Sequence, residues 1–408
     1  MSMNYSTEQA DAIDLCCEET ERIVCVTGAA GTGKTTILKG AAERLEEQFP
    51  SFGERSSVVL AAPTGRAAKR IQEATGIPAM TIHRMLRFTT PESDDDITLP
   101  RHTKRNPLPY DVILIDEASM IDTELYRGLI DAMHRNAIIR FFGDINQLPP
   151  VASTTSPFNE AMKRFPTATL THNYRSEDGI IEMSDRIIKG RIPTANSQVA
   201  IYKLKYNETF YKLRDICEEI DFTRMDNQII APTNMTKYGC DPINKFMQQR
   251  YNDEKEKIQT FQKDSRTGDM TIRSFKRGDK VIWTKNNYDL AIMNGTLGVV
   301  QGFDAEEGTI SCTFDDRDVL IPPSIETFNP TTGQRYRYDP RNQMMLGYAI
   351  TTHKSQGSQF DTVVYVLSPS RAATRQNLYT AATRAKKNLI VLGVARALMS
   401  ALNTKAST

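Results

Sequence analysis

Residues 28–36 combine three glycines, one lysine and three threonines in a spacing that suits phosphate binding. The segment GAAGTGKTT matches the pattern GxxxxGK[ST], follows an apolar run and precedes a helical pattern. Glycines let backbone N–H groups surround a phosphate, and the start of the following helix favours its negative charge. Lys34 would bind the β- and γ-phosphates of ATP, and Thr35 would bind Mg²⁺. We expect the rest of the loop to contact the nucleotide through Gly28, Ala29, Ala30, Gly31, Thr32, Gly33 and Thr36.

Two adjacent carboxylates, Asp116 and Glu117, end the apolar run DVILI. Carboxylates at the C-terminal end of a strand beside a phosphate loop can divide two tasks. Asp116 would hold Mg²⁺, and Glu117 would orient and deprotonate the attacking water. A lone Asp-Glu pair after a strand is a weak signal, but the upstream phosphate loop strengthens this interpretation.

Gln9 has two open interpretations. It ends the segment STEQ before a helical pattern, so Ser6 and Gln9 can form a capping box at the helix start. Its amide could instead bind the edge of an adenine ring. The residue types alone favour the cap.

Arg175 in NYRS and Arg384 in TRAKK lie far along the chain from the phosphate loop. A nucleotide hydrolase needs positive charge at the γ-phosphate in the transition state. An arginine from another domain supplies this charge only when the cleft closes, which would couple hydrolysis to domain motion. The alternative for each is a surface salt bridge.

The elements that must position these residues alternate between strands and helices. Apolar runs at 23–28, 57–63, 111–117 and 138–144 predict buried strands, and helical patterns at 34–48, 65–74 and 122–135 separate them. Such alternation predicts a parallel sheet with right-handed crossovers. We therefore predict a first α/β domain over 1–167, interrupted by a polar insertion at about 88–107.

A second α/β domain is predicted over 168–265 and 341–408, with buried strands at 228–234, 362–368 and 388–394. Between its two parts, residues 266–340 contain short alternating segments joined by Gly, Asn and Asp turns. This texture predicts a small antiparallel β-barrel inserted into the second domain.

Bulk composition narrows the class of protein. Of the 408 residues, 39% are hydrophobic and 25% are charged, which is typical of a soluble globular protein, and no apolar run reaches the length of a membrane span. The N-terminal residues lack the features of a secretory signal, so we expect an intracellular location, in the cytoplasm. Residues 341–408 hold nine Lys or Arg and one acid, Asp361, which suits either a polyanion-binding surface or a solvated basic face.

The order of the motifs resembles that of the superfamily-1B helicases of the RecD and Dda type. The matching segments cover nearly the whole chain, and in chain order they are STEQ (6–9), GAAGTGKTT (28–36), APTGRAAKR (62–70), TIHRML (81–86), DEAS (116–119), GDINQLPPV (143–151), NYRS (173–176), AITTHKSQGSQFD (349–361) and LYTAATRAKKNLIV (378–391). The resemblance implies an α/β fold of two RecA-like P-loop motor domains. It also implies a short pin-like insertion in the first domain and an SH3-like β-barrel insertion in the second.

The resemblance assigns further nucleotide contacts. It implies that Gln9 binds adenine, which reverses the preference for a cap alone, and that Tyr174 stacks on the adenine ring. It makes Arg175 a γ-phosphate contact and Arg384 the arginine finger. Gln147 would sense the γ-phosphate and link it to the DNA groove. The same resemblance places Gly357 and Gln359 at the nucleotide, although relatives often carry Glu at the latter position.

The resemblance also implies contacts to single-stranded DNA. On the first domain these are Pro63, Thr64, Thr81 and His83, and on the second they are Thr352, His353 and Lys354. The alternatives are a strand-to-helix turn and cap at Pro63 and Thr64, and a buried histidine at position 83.

Two aromatic residues belong to the insertions. Trp283, the only tryptophan, lies in the stretch KVIWTKNNYD, which is similar to the SH3-like insertion of the family. It could stack on a base or belong to the core of the barrel. Phe88 lies near the base of the segment that corresponds to the strand-separating pin.

The resemblance predicts an ATP- and Mg²⁺-dependent helicase that moves 5′ to 3′ on single-stranded DNA and unwinds ss/ds junctions. It would act as a monomer in DNA replication, recombination or repair, beside a single-strand-binding or replication protein. Three alternatives stay open: a translocase that removes bound proteins, an RNA helicase, and a regulatory P-loop ATPase for which nucleic acid is incidental.

Overall fold

The computed structural model describes residues 5–51, 56–88, 99–150, 156–174, 179–205, 207–263, 270–287, 289–328 and 335–404. The helices of these ranges are α1 (Thr7–Cys16), α2 (Lys34–Gln48), α3 (Gly65–Thr75), α4 (Ile82–Leu86), α5 (Thr123–Ala132), α6 (Pro157–Arg164), α7 (Gly179–Ile188), α8 (Thr209–Glu219), α9 (Cys240–Tyr251), α10 (Arg375–Ala382) and α11 (Ala395–Asn403). No described helix is both long and apolar enough to cross a bilayer.

The strands are β1 (Ile23–Gly28), β2 (Val58–Ala62), β3 (Ala79–Thr81), β4 (Val112–Ile115), β5 (Ile138–Gly143), β6 (Thr167–Leu170), β7 (Val199–Lys203), β8 (Asn227–Ala231), β9 (Lys257–Lys263), β10 (Met270–Lys276), β11 (Lys280–Trp283), β12 (Leu297–Asp304), β13 (Thr309–Phe314), β14 (Arg317–Ile321), β15 (Ile325–Phe328), β16 (Arg335–Tyr338), β17 (Met344–Leu346), β18 (Ala349–Thr351), β19 (Phe360–Leu367) and β20 (Ala385–Gly393). They form two parallel sheets and an antiparallel region between the two parts of the second sheet.

The first parallel sheet has the strand order β3-β2-β4-β5-β1-β6. Successive side chains of a strand point to opposite faces of the sheet, and helices cover both faces of this sheet at its central strands. Val24 and Val26 of β1 pack into the core beneath α1, α2 and α3, whereas Cys25 packs into the core beneath α4, α5 and α6. The predicted strand–helix alternation is therefore confirmed. The sheet includes β6, so this unit continues to Leu170, past the predicted boundary at 167.

The second parallel sheet has the order β18-β8-β19-β20-β7. Its central strand β19 is buried along nearly its whole length and carries Val363, Val364 and Tyr365 into cores on both faces. We call the two sheets with their helices the first and second motor units. Both confirm the predicted α/β class with parallel sheets.

The antiparallel region lies between β8 and β18 in sequence. A five-stranded sheet, β14-β13-β12-β11-β17, packs around Trp283 and Phe314, and β9–β10 and β15–β16 form separate hairpins. The region runs from Lys257 to Leu346, beyond the predicted bounds 266–340, because β9 pairs with β10 and β17 pairs with β11. The antiparallel texture follows the prediction, and closure into an SH3-like barrel stays a prediction.

Half of the predicted pin-like insertion at 88–107 lies outside the described residues, which omit 89–98. Phe88 forms an antiparallel bridge with Pro100, so the chain leaves and rejoins the first motor unit at neighbouring positions. The insertion therefore has a narrow base.

Candidate nucleotide and nucleic-acid site

The phosphate loop runs from the end of β1 to the start of α2. Gly31 and Gly33 have φ angles of 86° and 82°, a left-handed conformation that glycine adopts without the strain of a Cβ atom. A Cβ atom on Gly33 would also lie 2.5 Å from Nε2 of Gln9. The Nζ atom of Lys34 donates to the carbonyls of Gly28 at 2.7 Å and Ala29 at 2.9 Å. This geometry directs a cation and a helix N-terminus at one small volume, which suits a phosphate.

Asp116 and Glu117 follow β4 directly. Glu117 has a φ of 52°, an uncommon conformation for a residue other than glycine, and it begins the 3₁₀ turn Ala118–Met120. Its N–H group donates to Oδ1 of Asp116 at 2.8 Å. Burial, reinforced by the charge of Glu117, raises the pKa of Asp116 to about 6, against the opposing effect of Lys34. A carboxylate held in this way is stabilised by a cation placed beside it.

A cleft of about 310 Å³ separates the phosphate loop from the second motor unit. It brings together many of the predicted nucleotide residues, namely Gln9, Ala30, Gly31, Gly33, Lys34, Thr35, Thr36, Asp116, Glu117, Gln147, Tyr174, Gln359 and Arg384. The two motor units therefore share one site, as expected if the nucleotide bridges them.

Gln9 forms the predicted cap and also lines the nucleotide cleft, where adenine binding stays a prediction. Its Oε1 accepts from the N–H of Ser6 at 3.2 Å, while the Ser6 hydroxyl accepts from the N–H of Gln9 at 3.3 Å, which completes the capping box. The other end of the amide, Nε2, faces Gly33 in the phosphate loop. The cap thus fixes the orientation in which the amide nitrogen faces the nucleotide cleft.

Tyr174 lies at the mouth of the cleft. Its ring is 42% exposed, its N–H donates to the carbonyl of Gly31 at 3.2 Å, and its hydroxyl contacts that of Ser6. A half-exposed aromatic ring anchored to the phosphate loop can cover a planar base. Its neighbour Arg175, the predicted γ-phosphate contact, lies outside the described residues.

Gln147 and Arg384 enter the cleft from opposite units. Gln147 is buried, and its Oε1 has no hydrogen-bond partner among the residues that the structure describes. Arg384 is buried as well and donates to the carbonyls of Thr380 and Ser358 and to the hydroxyl of Thr383. Burial lowers the pKa of Arg384, and the nearby Glu117 opposes that effect.

The predicted DNA residues of the first motor unit occupy the starts of two helices. The hydroxyl of Thr64 caps α3 by accepting from Ala67 N–H, and the hydroxyl of Thr81 caps α4 by accepting from Arg84 N–H. Pro63 precedes the first cap and is half-buried, so the turn-and-cap interpretation applies there.

His83 is exposed, which is against the alternative of a buried histidine. Its ring centroid lies 4.9 Å from that of Phe88, which is half-buried. These two rings therefore form one pair at the base of the insertion.

Two predicted DNA contacts are wrong for this structure. Trp283 is fully buried and meets Phe314 edge-to-face with ring centroids 5.7 Å apart, so no base can stack on it. Thr352 is also fully buried, and its hydroxyl donates to Oδ1 of Asn377 at 2.6 Å. The adjacent His353 and Lys354 are half-buried and keep part of their surface accessible.

Sequence reasoning missed three residues of the site. Tyr379 and Asp144, each within a motif quoted above, pair across the cleft, and Arg70 of α3 lines the cleft. Asp144 follows the buried strand β5 and Tyr379 stands five residues before Arg384, but no local pattern joins them. Arg70 is the last residue of the motif APTGRAAKR quoted above, but its side-chain direction depends on how α3 packs.

A phosphate loop on one parallel sheet, faced across a shared cleft by an arginine from a second parallel sheet, defines a P-loop nucleotide-binding protein built from two RecA-like units. Comparison with known proteins refines this class. Residues 4–205 match the family described as AAA domain, and residues 346–392 match the UvrD-like helicase C-terminal domain. The chain is thus similar to an AAA domain followed by a UvrD-like helicase C-terminal domain, the combination expected from its resemblance to the RecD-type helicases.

Two relatives illustrate the similarity. The chain is 31% identical to the ATP-dependent RecD2 DNA helicase of Deinococcus radiodurans over 96% of its own length, and it spans 49% of that protein. It is 27% identical to the RecBCD enzyme subunit RecD of Mycolicibacterium smegmatis over 94% of its length, and it spans 70% of that subunit. The chain therefore spans about half the length of the first relative.

Solved structures show the same fold. The Pif1 helicase from Bacteroides in complex with ADP-AlF3 and ssDNA aligns with a TM-score of 0.61 and 20% identity, covering 98% of this chain and 94% of that one. A structure of forked-DNA unwinding by two Pif1 helicases aligns with the same TM-score over 96% and 92%.

Proposed function

We propose that this chain is an ATP-dependent DNA helicase that moves 5′ to 3′ along single-stranded DNA and separates duplex ahead of it. The observation that carries the proposal is the nucleotide cleft between two motor units, with Lys34 on one wall and Arg384 on the other. A nucleotide held between two bodies can change their separation when it is hydrolysed. The direction of movement rests on family resemblance.

Mg²⁺ fits the oxygen groups of the cleft. Hard oxygen ligands and phosphates suit this ion, and the Thr35 hydroxyl and Asp116 carboxylate both line the cleft beside the phosphate loop. Mg²⁺ usually binds proteins through one or two side-chain oxygens and completes its coordination with water and nucleotide phosphates, which suits this pair. The ion would neutralise charge on the β- and γ-phosphates.

Each remaining side chain has a distinct task in the proposal. Lys34 and Arg384 stabilise the charge that develops on the γ-phosphate, and Glu117 accepts the proton of the attacking water. Gln147 would accept a hydrogen bond from that water at Oε1, which has no partner among the described residues, and would donate one to the γ-phosphate from its amide nitrogen. Arg175, which lies outside the described residues, would add a further cation, as the resemblance implies.

Movement follows from alternate opening and closing of the cleft. Thr64 and His83 would hold the strand on the first motor unit, and His353 and Lys354 would hold it on the second. Thr81 is buried and its hydroxyl caps α4, so we do not expect its side chain to contact the strand. If each unit releases in turn while the other grips, one cycle of hydrolysis gives net displacement. Contacts of this kind to the sugar-phosphate backbone make binding sensitive to salt and nearly independent of sequence.

The test is steady-state ATP hydrolysis with and without single-stranded DNA or RNA of equal length. Lys34→Ala and Glu117→Gln should abolish hydrolysis, whereas Arg127→Ala, which removes an exposed arginine outside the cleft, should leave it unchanged. Strong stimulation by DNA supports the proposal, and a duplex with a single-stranded tail at one end or the other then gives the polarity. Hydrolysis that responds to neither nucleic acid would overturn the proposal. If RNA stimulated hydrolysis more than DNA did, the substrate would be RNA.

A further inference from the structure

Three described cations line the nucleotide cleft: Lys34, Arg70 and Arg384. The donors of Lys34 are directed at two loop carbonyls, and those of Arg384 at three oxygen atoms of the second motor unit. Arg70 is half-buried and, within the described part of the chain, makes no hydrogen bond or ion pair. A guanidinium with free donors in such a cleft can bind an anion without first losing a protein partner.

Packing of α3 explains why Arg70 faces the nucleotide. Its neighbours on the same helix are directed at the antiparallel region, where Arg66 donates to the carbonyl of Gly295 at 3.0 Å and Lys69 forms a 3.0 Å ion pair with Asp315. Arg70 is the next residue around the helix and lines both the nucleotide cleft and an adjoining cavity of about 440 Å³. Arg66 and Lys69 thus contact the antiparallel region, whereas Arg70 lines the nucleotide cleft.

The charges around Arg70 also favour an anion. Arg70 and Arg384 line the same cleft as the carboxylates of Asp116 and Glu117, and the positive charge of Arg70 acts in the same direction as burial in lowering the pKa of Arg384. The two guanidinium groups are therefore close enough to influence each other. An anion placed between two like charges is stabilised by both, and it relieves their mutual repulsion.

We propose that Arg70 is a γ-phosphate ligand supplied by α3 of the first motor unit. The proposal deepens the proposed function and rests on it, because it concerns the same nucleotide site. The helix that carries Arg70 is capped by Thr64, a predicted DNA contact six residues earlier, which is about 9 Å along the helix axis. One rigid helix would then join the γ-phosphate to the DNA strand, and both ligands would influence its position.

Binding of ADP and of the non-hydrolysable analogue AMP-PNP to the full chain, with Mg²⁺ present, tests the proposal. Arg70→Ala should weaken AMP-PNP binding about tenfold to a hundredfold, the value of one or two charge-assisted hydrogen bonds, and should change ADP binding by less than about twofold. Arg70→Lys should recover part of the loss because it keeps the charge but not the paired donors. Arg127→Ala is the matched control.

Two results would overturn the assignment: unchanged AMP-PNP binding in folded Arg70→Ala, or an equal loss of ADP binding, which would place Arg70 on the diphosphate. Thermal melting identifies a folding defect, and Ala is a good helix former at this position. The binding assay needs neither DNA nor hydrolysis. Failure of DNA to stimulate hydrolysis by the unsubstituted chain would therefore refute the helicase proposal without deciding the role of Arg70.

Discussion

The hydroxyl of Tyr379, on α10 of the second motor unit, donates a 2.6 Å hydrogen bond to the carboxylate of Asp144 in the first. The same hydroxyl accepts from the N–H of Ala30 in the phosphate loop at 3.1 Å. Both side chains are almost fully buried, and burial together with Asp144 raises the pKa of Tyr379, so the hydroxyl keeps its proton. One phenol thus links three sequence motifs across the cleft.

Tyr379→Phe removes this link and leaves the buried carboxylate of Asp144 short of a donor. The loss should destabilise the closed cleft by about 1–3 kcal/mol and lower the DNA-stimulated kcat for ATP about tenfold or more. Affinity for single-stranded DNA without nucleotide should stay unchanged. Tyr348→Phe is the matched control, because Tyr348 donates to buried Asp279 at 3.0 Å but does not cross the cleft. Equal loss of kcat in both variants would refute a specific role of the cleft-crossing bond.

The raised pKa of Asp116 predicts a particular dependence of stability on pH. Its pKa is about 6 in the folded chain against an ordinary value of 3.8, so the folded state binds more protons between these values. Stability of the nucleotide-free chain should therefore fall as pH rises from about 4 to about 6 and should not recover above that range through this group. Asp116→Asn should raise the melting temperature at pH 7 but not at pH 3.5.

Asp361 provides a control of opposite sign. Lys387 donates to this exposed carboxylate and lowers its pKa, so its contribution to stability is present at neutral pH and is lost as pH falls. Asp361→Asn should therefore lower the melting temperature slightly at pH 7. If Asp116→Asn also lowered the melting temperature at pH 7, the interpretation that burial raises the pKa of Asp116 would be wrong.

Trp283 should matter for stability and not for DNA affinity. Trp283→Ala creates a large cavity in the antiparallel region and should cost about 3–5 kcal/mol in urea unfolding. Trp283→Phe should cost less, because the indole N–H has no hydrogen-bond partner among the described residues. Fluorescence anisotropy of a labelled single strand should give the same Kd for Trp283→Phe as for the original chain. A tenfold weaker Kd in that folded variant would restore the stacking interpretation.

Gly65 allows α3 to approach the antiparallel region. A Cβ atom there would lie 2.6 Å from Cβ and 2.7 Å from Cγ of Met293. Gly65→Ala should therefore push α3 away from the antiparallel region and destabilise the chain by about 1–3 kcal/mol through overpacking. Met293→Gly removes the obstructing Cβ and Cγ atoms, so the double variant should be more stable than the sum of the two single effects predicts. Strict additivity in thermal melts would argue against this contact.

Local sequence patterns were enough to predict the residues on the phosphate-loop side of the site. Asp116 and Glu117 directly follow one buried strand, and Lys34 ends the phosphate loop that follows another. Their positions are therefore predictable, because the carboxyl ends of parallel strands meet at one edge of the sheet. The capping box at Gln9 was also readable from four consecutive residues. Its second contact, with Gly33, depends on how α1 packs beside the phosphate loop.

Local sequence patterns could not predict which side chains are buried or which residues make contacts between the two motor units. Thr352 and Lys354 are two residues apart in one motif, yet Thr352 is fully buried against Asn377 whereas Lys354 is not. Trp283 was compatible with either a surface or a core, and the partner that decides the matter, Phe314, is contributed by another strand. The direction of Arg70 likewise depends on the contacts that its helix makes with the antiparallel region.

The order of pairing in the second sheet has a consequence for synthesis on the ribosome. β8 pairs only with β18 and β19, and β7 pairs only with β20, so strands made early must await partners made more than about a hundred residues later. The first sheet, by contrast, is complete once Leu170 has emerged. The nascent chain therefore carries a folded nucleotide-loop unit while the apolar strands β7 and β8 are still unpaired. That interval is when aggregation and chaperone capture are most favoured, because unpaired apolar strands are exposed.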